Sequence, residues 1–249
     1  IWVRLRDAPG YEPADAAPPP PAGMRLGDPG VQLADMNGDR IPDLVRILGE
    51  DSRILVAAGA GLGVFEDPAD MFGVPKIMPT DRWELADING DGAADLVRIG
   101  QDQLGLWINR LDGRFAEAAS ITWPALEADE IILVTDIDGS GTLEILRADT
   151  NGSQPWRAWS IFPERPGLLA RFENGLGYTR EHIYRPAAQL AAEDAAAGAP
   201  WTTRPPEAMP VLTETREDDG AGWTSTLHRN LRDGWYDPAR GEFRGFAEL

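Results

Sequence analysis

Three stretches of the sequence place oxygen-bearing side chains at one fixed spacing. They are Asp35-Met-Asn-Gly-Asp-Arg-Ile-Pro-Asp43, Asp87-Ile-Asn-Gly-Asp-Gly-Ala-Ala-Asp95 and Asp136-Ile-Asp-Gly-Ser-Gly-Thr-Leu-Glu144. Positions 1, 3, 5 and 9 are Asp35, Asn37, Asp39 and Asp43 in the first copy, and Asp87, Asn89, Asp91 and Asp95 in the second. In the third they are Asp136, Asp138, Ser140 and Glu144. A hard cation such as calcium gathers about six to eight oxygens at short range, so a loop that binds it must curl tightly. Gly38, Gly90 and Gly139, all at position 4, permit the positive φ that such a curl needs. Position 7 (Ile41, Ala93, Thr142) shares no side-chain chemistry, which assigns the ligand role there to the backbone carbonyl. The expectation is about three bound calcium ions. Ser140 is a neutral hydroxyl where the other copies have a carboxylate, so the third loop is expected to hold its ion least tightly.

An EF-hand uses a similar odd-position pattern, but it needs a bidentate Glu at position 12 and a helix on each side. Position 12 here is Arg46, Arg98 and Arg147, and the flanks, such as Val31-Gln-Leu-Ala34 and Leu44-Val-Arg-Ile47, are short and β-like. A single copy would read equally well as a polar turn, because Asp, Asn and Gly dominate turns. Three copies in register favour metal.

The elements that must position these loops are strands. The loops begin 52 and then 49 residues apart, at Asp35, Asp87 and Asp136. A period near 50 with several short strands in each repeat is the pattern of a β-propeller blade. Expected strands are 31–34, 44–48, 53–58 and 63–66 in the first repeat, and 83–86, 96–99, 104–109 and 114–121 in the second. Trp83, Trp107 and Trp123 are read as blade-packing residues and not as a ligand site. Residues 1–12 roughly repeat residues 106–117, so the chain is expected to open inside an earlier repeat, with its native N-terminus upstream. Pro18 to Pro21 form a stiff connector that cannot be a central strand. Three blades do not close a ring, and the expected propeller region, 1–160, is incomplete.

The fold class is therefore all-β, with a second region over 161–249. There, 168–184 reads as two strands joined at Asn174-Gly175, a strong hairpin signal. Residues 209–216 and 223–231 suggest a second strand pair. Between the pairs, 185–208 reads as loosely structured, its Ala-rich part (187–199) as a short helix or a loop.

The 249 residues carry 23 basic and 41 acidic side chains, a net charge of −18. Nine of the carboxylates lie in the three loops. An acidic chain repels phosphate backbones, which excludes nucleic acid as a partner. There is no cysteine, hence no disulfide framework or thiolate metal site. No apolar run approaches the roughly 20 residues needed to span a bilayer, so no direct membrane insertion is expected. His182 and His228 are the only histidines. No G-x-S-x-G, phosphate-binding loop or H-E-x-x-H motif accompanies them, and an enzyme is not expected.

The calcium loops with their strand flanks resemble the FG-GAP/VCBS repeats of integrin-like propellers, a likeness that names a fold and not a function. The tail is more specific. Asn174-Gly-Leu-Gly-Tyr-Thr179, Tyr184-Arg-Pro186, Pro200-Trp-Thr-Thr203, Asp233-Gly-Trp-Tyr-Asp237 and Glu242-Phe-Arg-Gly-Phe246 resemble, in order, the middle region of insecticidal toxin complex B components and SpvB-like proteins. The resemblance implies a piece of a secreted bacterial toxin subunit in which an FG-GAP propeller leads into an Rhs-type β shell. It implies docking onto an A-type translocation component, gating, and enclosure of a toxic C-type effector. Neither a Tyr-Asp repeat array nor an effector domain lies within these residues. The competing reading is an integrin-like adhesin or carbohydrate-binding propeller, which has no need of the tail motifs.

Overall fold

The computed structural model describes residues 3–5, 11–13, 18–78, 80–125, 127, 129–152, 155–162, 164–203, 205, 208–237, 239–240 and 242–248. The chain divides into two compact units, Ile1–Asp87 with Gly92–Ala128, and Ile88–Asp91 with Asp129–Leu249.

In the first unit, β1 (Val3–Leu5) and β2 (Tyr11–Pro13) pair antiparallel. The first repeat supplies β3 (Val31–Ala34), β4 (Asp43–Leu48), β5 (Arg53–Ala57), β6 (Gly59–Gly61), β7 (Val64–Phe65) and β8 (Ala69–Asp70). Its antiparallel sheet runs β3-β4-β5-β8, while β6 and β7 form a separate hairpin. The expected fourth strand at 63–66 is thus displaced. Positive φ at Gly61, Leu62 and Gly63 turns the chain back before it can join the sheet. The edge goes instead to β8, where Arg53 donates from Nε and Nη2 to the two carboxylate oxygens of Asp70, each at 2.9 Å. The second repeat forms β9 (Arg82–Ala86), β10 (Asp95–Ile99), β11 (Gln103–Asn109) and β12 (Phe115–Thr122), one four-stranded meander as expected.

Alternation along these strands separates their faces. Val45 and Ile54 of the first sheet join Met36, Ile77, Ala94, Leu96, Trp107 and Phe115 in one buried core, with Trp83 and Leu85 packed against it. The Trp83 and Trp107 rings lie 5.9 Å apart between centroids. These indoles pack the core, as does the buried Trp123.

The second unit begins with β13 (Glu130–Thr135), β14 (Glu144–Asp149) and β15 (Arg157–Ser160), a three-stranded antiparallel sheet. There follow β16 (Arg171–Glu173), β17 (Thr179–Pro186), α1 (Ala187–Ala196), β18 (Pro210–Asp218), β19 (Thr224–His228), β20 (Arg232–Asp237) and β21 (Glu242–Glu248). The expected pair of separate hairpins is in fact one sheet, β16-β17-β18-β19. Strands β17 and β18 pair over their whole length, from Thr179 opposite Asp218 to Pro186 opposite Pro210. The hairpin turn is also longer than two residues, because Asn174 Oδ1 accepts from the amides of both Leu176 and Tyr178.

Residues 185–203 are more ordered than their composition suggests. Pro186 opens α1, and the following alanines favour helix. Ala187 and Ala191 are small enough for the helix to sit close on Trp201, Val211 and Leu231, with Leu190, Met209 and Phe246 around them. Trp201 donates its indole N–H to Asp194 at 2.6 Å, so burial of the ring leaves no polar atom stranded.

Candidate metal centre

Each loop folds as its residue types dictate. Position 4 takes positive φ in all three copies: 77° at Gly38, 76° at Gly90 and 74° at Gly139. Position 6 does too, and there the copies differ. Gly92 and Gly141 meet that demand without strain, whereas Arg40 is held at 67°. The position 1 carboxylate closes each curl. Asp35 accepts from the amides of Gly38 at 2.7 Å and Arg40 at 2.6 Å. Asp136 accepts from those of Gly139 at 2.6 Å and Gly141 at 2.9 Å.

In the first loop the remaining oxygens bond within the loop. Asn37 Oδ1 accepts from the Asp39 amide at 2.9 Å, and Asp39 Oδ1 from the Ile41 amide at 2.7 Å. Ile41 also lines an apolar cavity. The second loop is shared between the two units. In the first unit, Gly92 donates to Asp87 at 2.9 Å, while Ala93 and Asp95 are buried. In the second unit, Asn89 and Asp91 pair side chain to side chain at 3.0 Å.

The position 9 carboxylate has a shared architectural task. Asp43 is buried and accepts from the amides of Met36 at 2.8 Å and Gly59 at 2.7 Å. Asp95 accepts from the Asn109 amide at 2.8 Å, and Glu144 Oε2 from the Ile137 amide at 2.9 Å. This carboxylate therefore ties the loop to its own β-structure. Burial pushes the Asp43 carboxyl above its ordinary range, opposed by its two amide donors.

The third loop is the one where the carboxylates converge. One oxygen each from Asp136, Asp138 and Glu144 lie within 4.8 Å of one another, the only such acidic group among the described residues. Glu144 is 2% exposed, yet its Oε1 has no hydrogen-bond partner. Burial raises the Glu144 carboxyl, the Ile137 amide opposes it, and the charges of Asp138 and Asp136 push it up again, so that the net shift is upward. A buried, unpaired carboxylate oxygen facing two more carboxylates fits a hard cation. Ser140 and Thr142 bring their hydroxyls 3.0 Å apart beside it. Residue type puts this loop last through its neutral Ser140, and its geometry brings three carboxylates together.

Sequence reasoning overlooked two sets of residues. The position 12 arginines do more than exclude an EF-hand. Arg98 pairs with Asp81 at 3.5 Å and Arg147 pairs with Glu130. Both acids stand six residues before their loop's first Asp. In the first repeat that place is Pro29, and Arg46 donates instead to the Gly23 carbonyl at 2.8 Å. In the second unit, Arg165 donates to the Gly90 carbonyl and lies against Gly141, bracing the third loop from outside. The two histidines sit in the tail sheet. His182 neighbours the Tyr184 ring, and the exposed His228 lies 3.4 Å from Glu214.

Among the described residues, two four-stranded repeat sheets and one three-stranded sheet carry the Asp-rich loops, and a β-rich tail with one helix follows them. The profile described as the insecticide toxin TcdB middle/N-terminal region matches residues 108–249, and an FG-GAP-like repeat profile matches residues 35–97. The chain belongs to the TcdB middle/N-terminal region family. Its fold is that of solved toxin structures. The crystal structure of TcdB2-TccC3 is 21% identical, with a TM-score of 0.74 over 98% of this chain and 12% of that one. TcdB2-TccC3-Cdc42 is 24% identical, with a TM-score of 0.74 over 87% of this chain and 11% of that one. The Photorhabdus luminescens Tc holotoxin pore is 22% identical, with a TM-score of 0.73 over 89% and 11%. The chain thus spans only 11–12% of these solved chains. No curated protein matches the sequence. Among the described residues no helix is long and apolar enough to cross a membrane.

Proposed function

We propose that this chain is a non-catalytic, calcium-binding part of a secreted toxin-complex B component. Its FG-GAP blades serve docking and gating on an A-type translocation component, and its tail opens the Rhs-type shell that encloses a C-type effector. The observation that carries the metal reading is the buried, unpaired Glu144 Oε1 facing Asp136 and Asp138. Calcium suits this loop better than magnesium, which demands tighter octahedral geometry and gives up its waters reluctantly. Asp136, Asp138 and Glu144 would hold the ion, which would supply the positive charge that three converging carboxylates lack. Similar roles for the loops at Asp35 and Asp87 follow from their shared spacing. The toxin reading is supported by the family match over the tail and by the assemblies named for the solved TcdB2 and Tc holotoxin structures.

Two measurements test the proposal. Calorimetric titration of the chelator-treated chain should show saturable calcium binding together with a rise in melting temperature. Absence of both removes the metal role. Co-purification of the complete polypeptide with A-type and C-type components should give a stoichiometric complex, and failure to bind either removes the toxin-subunit role.

A further inference from the structure

The third loop holds the tail as well as its own sheet. Gly139, at position 4, stands against the first turn of α1, where an added Cβ would lie 2.6 Å from the Ala188 Cβ. Gly141, at position 6, stands against the segment that follows β15. A Cβ there would lie 2.8 Å from Arg165 Nη1 and 3.6 Å from the Ala208 carbonyl oxygen. Both places therefore need glycine twice over, for positive φ and for close approach. Thr142 is fully buried, and its hydroxyl donates to the Phe162 carbonyl at 3.5 Å. Ser140 lines a cavity of about 250 Å³ with Arg165, Pro186 and Pro210, the two prolines facing each other where β17 runs into α1.

The other two loops are built differently at these places. At position 6, a Cβ on Gly92 would meet nothing within 4 Å among the described residues, and the first loop carries the Arg40 side chain there. At position 7, Ile41 and Ala93 have no hydroxyl to donate. In the third loop, then, the residues that grip the tail alternate with the oxygens that face a cation. Asp138, Ser140 and Thr142 are the expected ligands, and Gly139 and Gly141 lie between them. One short stretch of backbone serves both tasks, so whatever draws the ligands inward also sets where the two glycines stand.

We propose, on the calcium reading of this loop, that it is a calcium-operated joint between the sheet β13–β15 and the tail. Without a cation, the carboxylates of Asp136, Asp138 and Glu144 repel one another within 4.8 Å, and the buried Glu144 Oε1 has no partner to hold it. The loop relaxes by spreading, which draws Gly139 away from Ala188 and Gly141 away from Arg165. With the cation bound, the carboxylates close on it and α1 and Arg165 seat against the two glycines. Thr142 links the two events within one residue, its carbonyl turned to the ion and its hydroxyl to Phe162. Trp201 and Val211 still hold the far side of α1, so release of the joint is a local opening and not unfolding.

Amide exchange in the complete polypeptide tests this, read by mass spectrometry in excess calcium and in EDTA, with calorimetric titration of calcium alongside. With calcium at a hundred times its dissociation constant, an opening that expels the ion is suppressed about 100-fold. Amides of α1 and of residues 164–170 should therefore exchange at least about ten-fold more slowly in calcium, and those of β20 and β21 should slow less. Two substitutions of Ala188, which is not a ligand, move the EDTA-to-calcium rate ratio over α1 in opposite directions. Ala188→Asp adds a negative charge beside the loop and should enlarge the ratio. Ala188→Lys supplies a fixed positive charge there and should shrink it. The effect of either charge on the helix dipole is the same in both buffers and cancels in the ratio. Calcium binding by titration with no change in α1 exchange would leave the metal reading standing and overturn the joint. Equal slowing of every tail amide would show general stabilisation and would also overturn it. Absence of both binding heat and any change in exchange would remove the metal reading, and the joint with it.

Discussion

Glu144→Gln should invert in sign between calcium and chelator. Three carboxylate oxygens within 4.8 Å repel strongly when no cation lies among them. Two unit charges at that separation interact by about 3 kcal/mol at an effective dielectric of about 20. Glu144 takes part in two of the three pairs. Asp138 is exposed, so solvent and salt reduce the relief to about 1 kcal/mol. The glutamine oxygen still accepts the Ile137 amide, and its NH₂ group can donate to the neighbouring carboxylates. In excess EDTA at neutral pH the variant should therefore melt about 2–4 °C above wild type. With calcium at a hundred times its dissociation constant, binding adds about 2.7 kcal/mol to wild type. Losing the buried anionic ligand should weaken affinity at least ten-fold, about 1.4 kcal/mol. That outweighs the relief, so the variant should melt below wild type in calcium. Differential scanning calorimetry in the two buffers reads both signs. A variant less stable in EDTA, with an undiminished calcium-induced rise, would show that Glu144 is only a structural acceptor, and the reasoning would fail.

Three further outcomes follow from other parts of the fold. Arg40→Gly relieves a left-handed non-glycine residue where the other two loops have glycine, and should stabilise by about 0.5–1 kcal/mol, read as a higher urea midpoint at unchanged slope. Trp201→Ala empties the site beneath α1, which should cost about 3–5 kcal/mol and accelerate amide exchange over residues 187–196 before the repeat sheets respond. The Asp233 carboxyl is held below its ordinary 3.8 by the Thr202 hydroxyl, then by the amides of Thr203 and Thr202. Its stabilising contribution is full above the unfolded value and is lost as pH falls through the lower folded one. Asp233→Asn should therefore flatten the acid limb of the melting curve below about pH 4, and an unchanged limb would count against that role.

The Asp-rich loops and the repeat strands were legible because both are local. Oxygen-bearing side chains at fixed spacing, a glycine at position 4 and period-two alternation are complete within about 20 residues, and β3 to β5 and β9 to β12 lie close to where they were expected. What escaped was decided by partners distant in sequence. The pairing of β17 with β18 joins strands separated by α1 and residues 197–209, and no local pattern announces it. The order of 185–203 comes from Trp201, Val211, Leu231 and Phe246 converging on two alanines. Nor could side-chain types alone rank the third loop. Ser140 puts that loop last by residue type, and what residue type does not show is Glu144 Oε1, whose isolation depends on burial among β13 to β15. One overlooked signal was present in the sequence all along. An acid six residues ahead of the first Asp pairs with the arginine at position 12 in the second and third repeats. In the first repeat Pro29 leaves Arg46 to a backbone carbonyl.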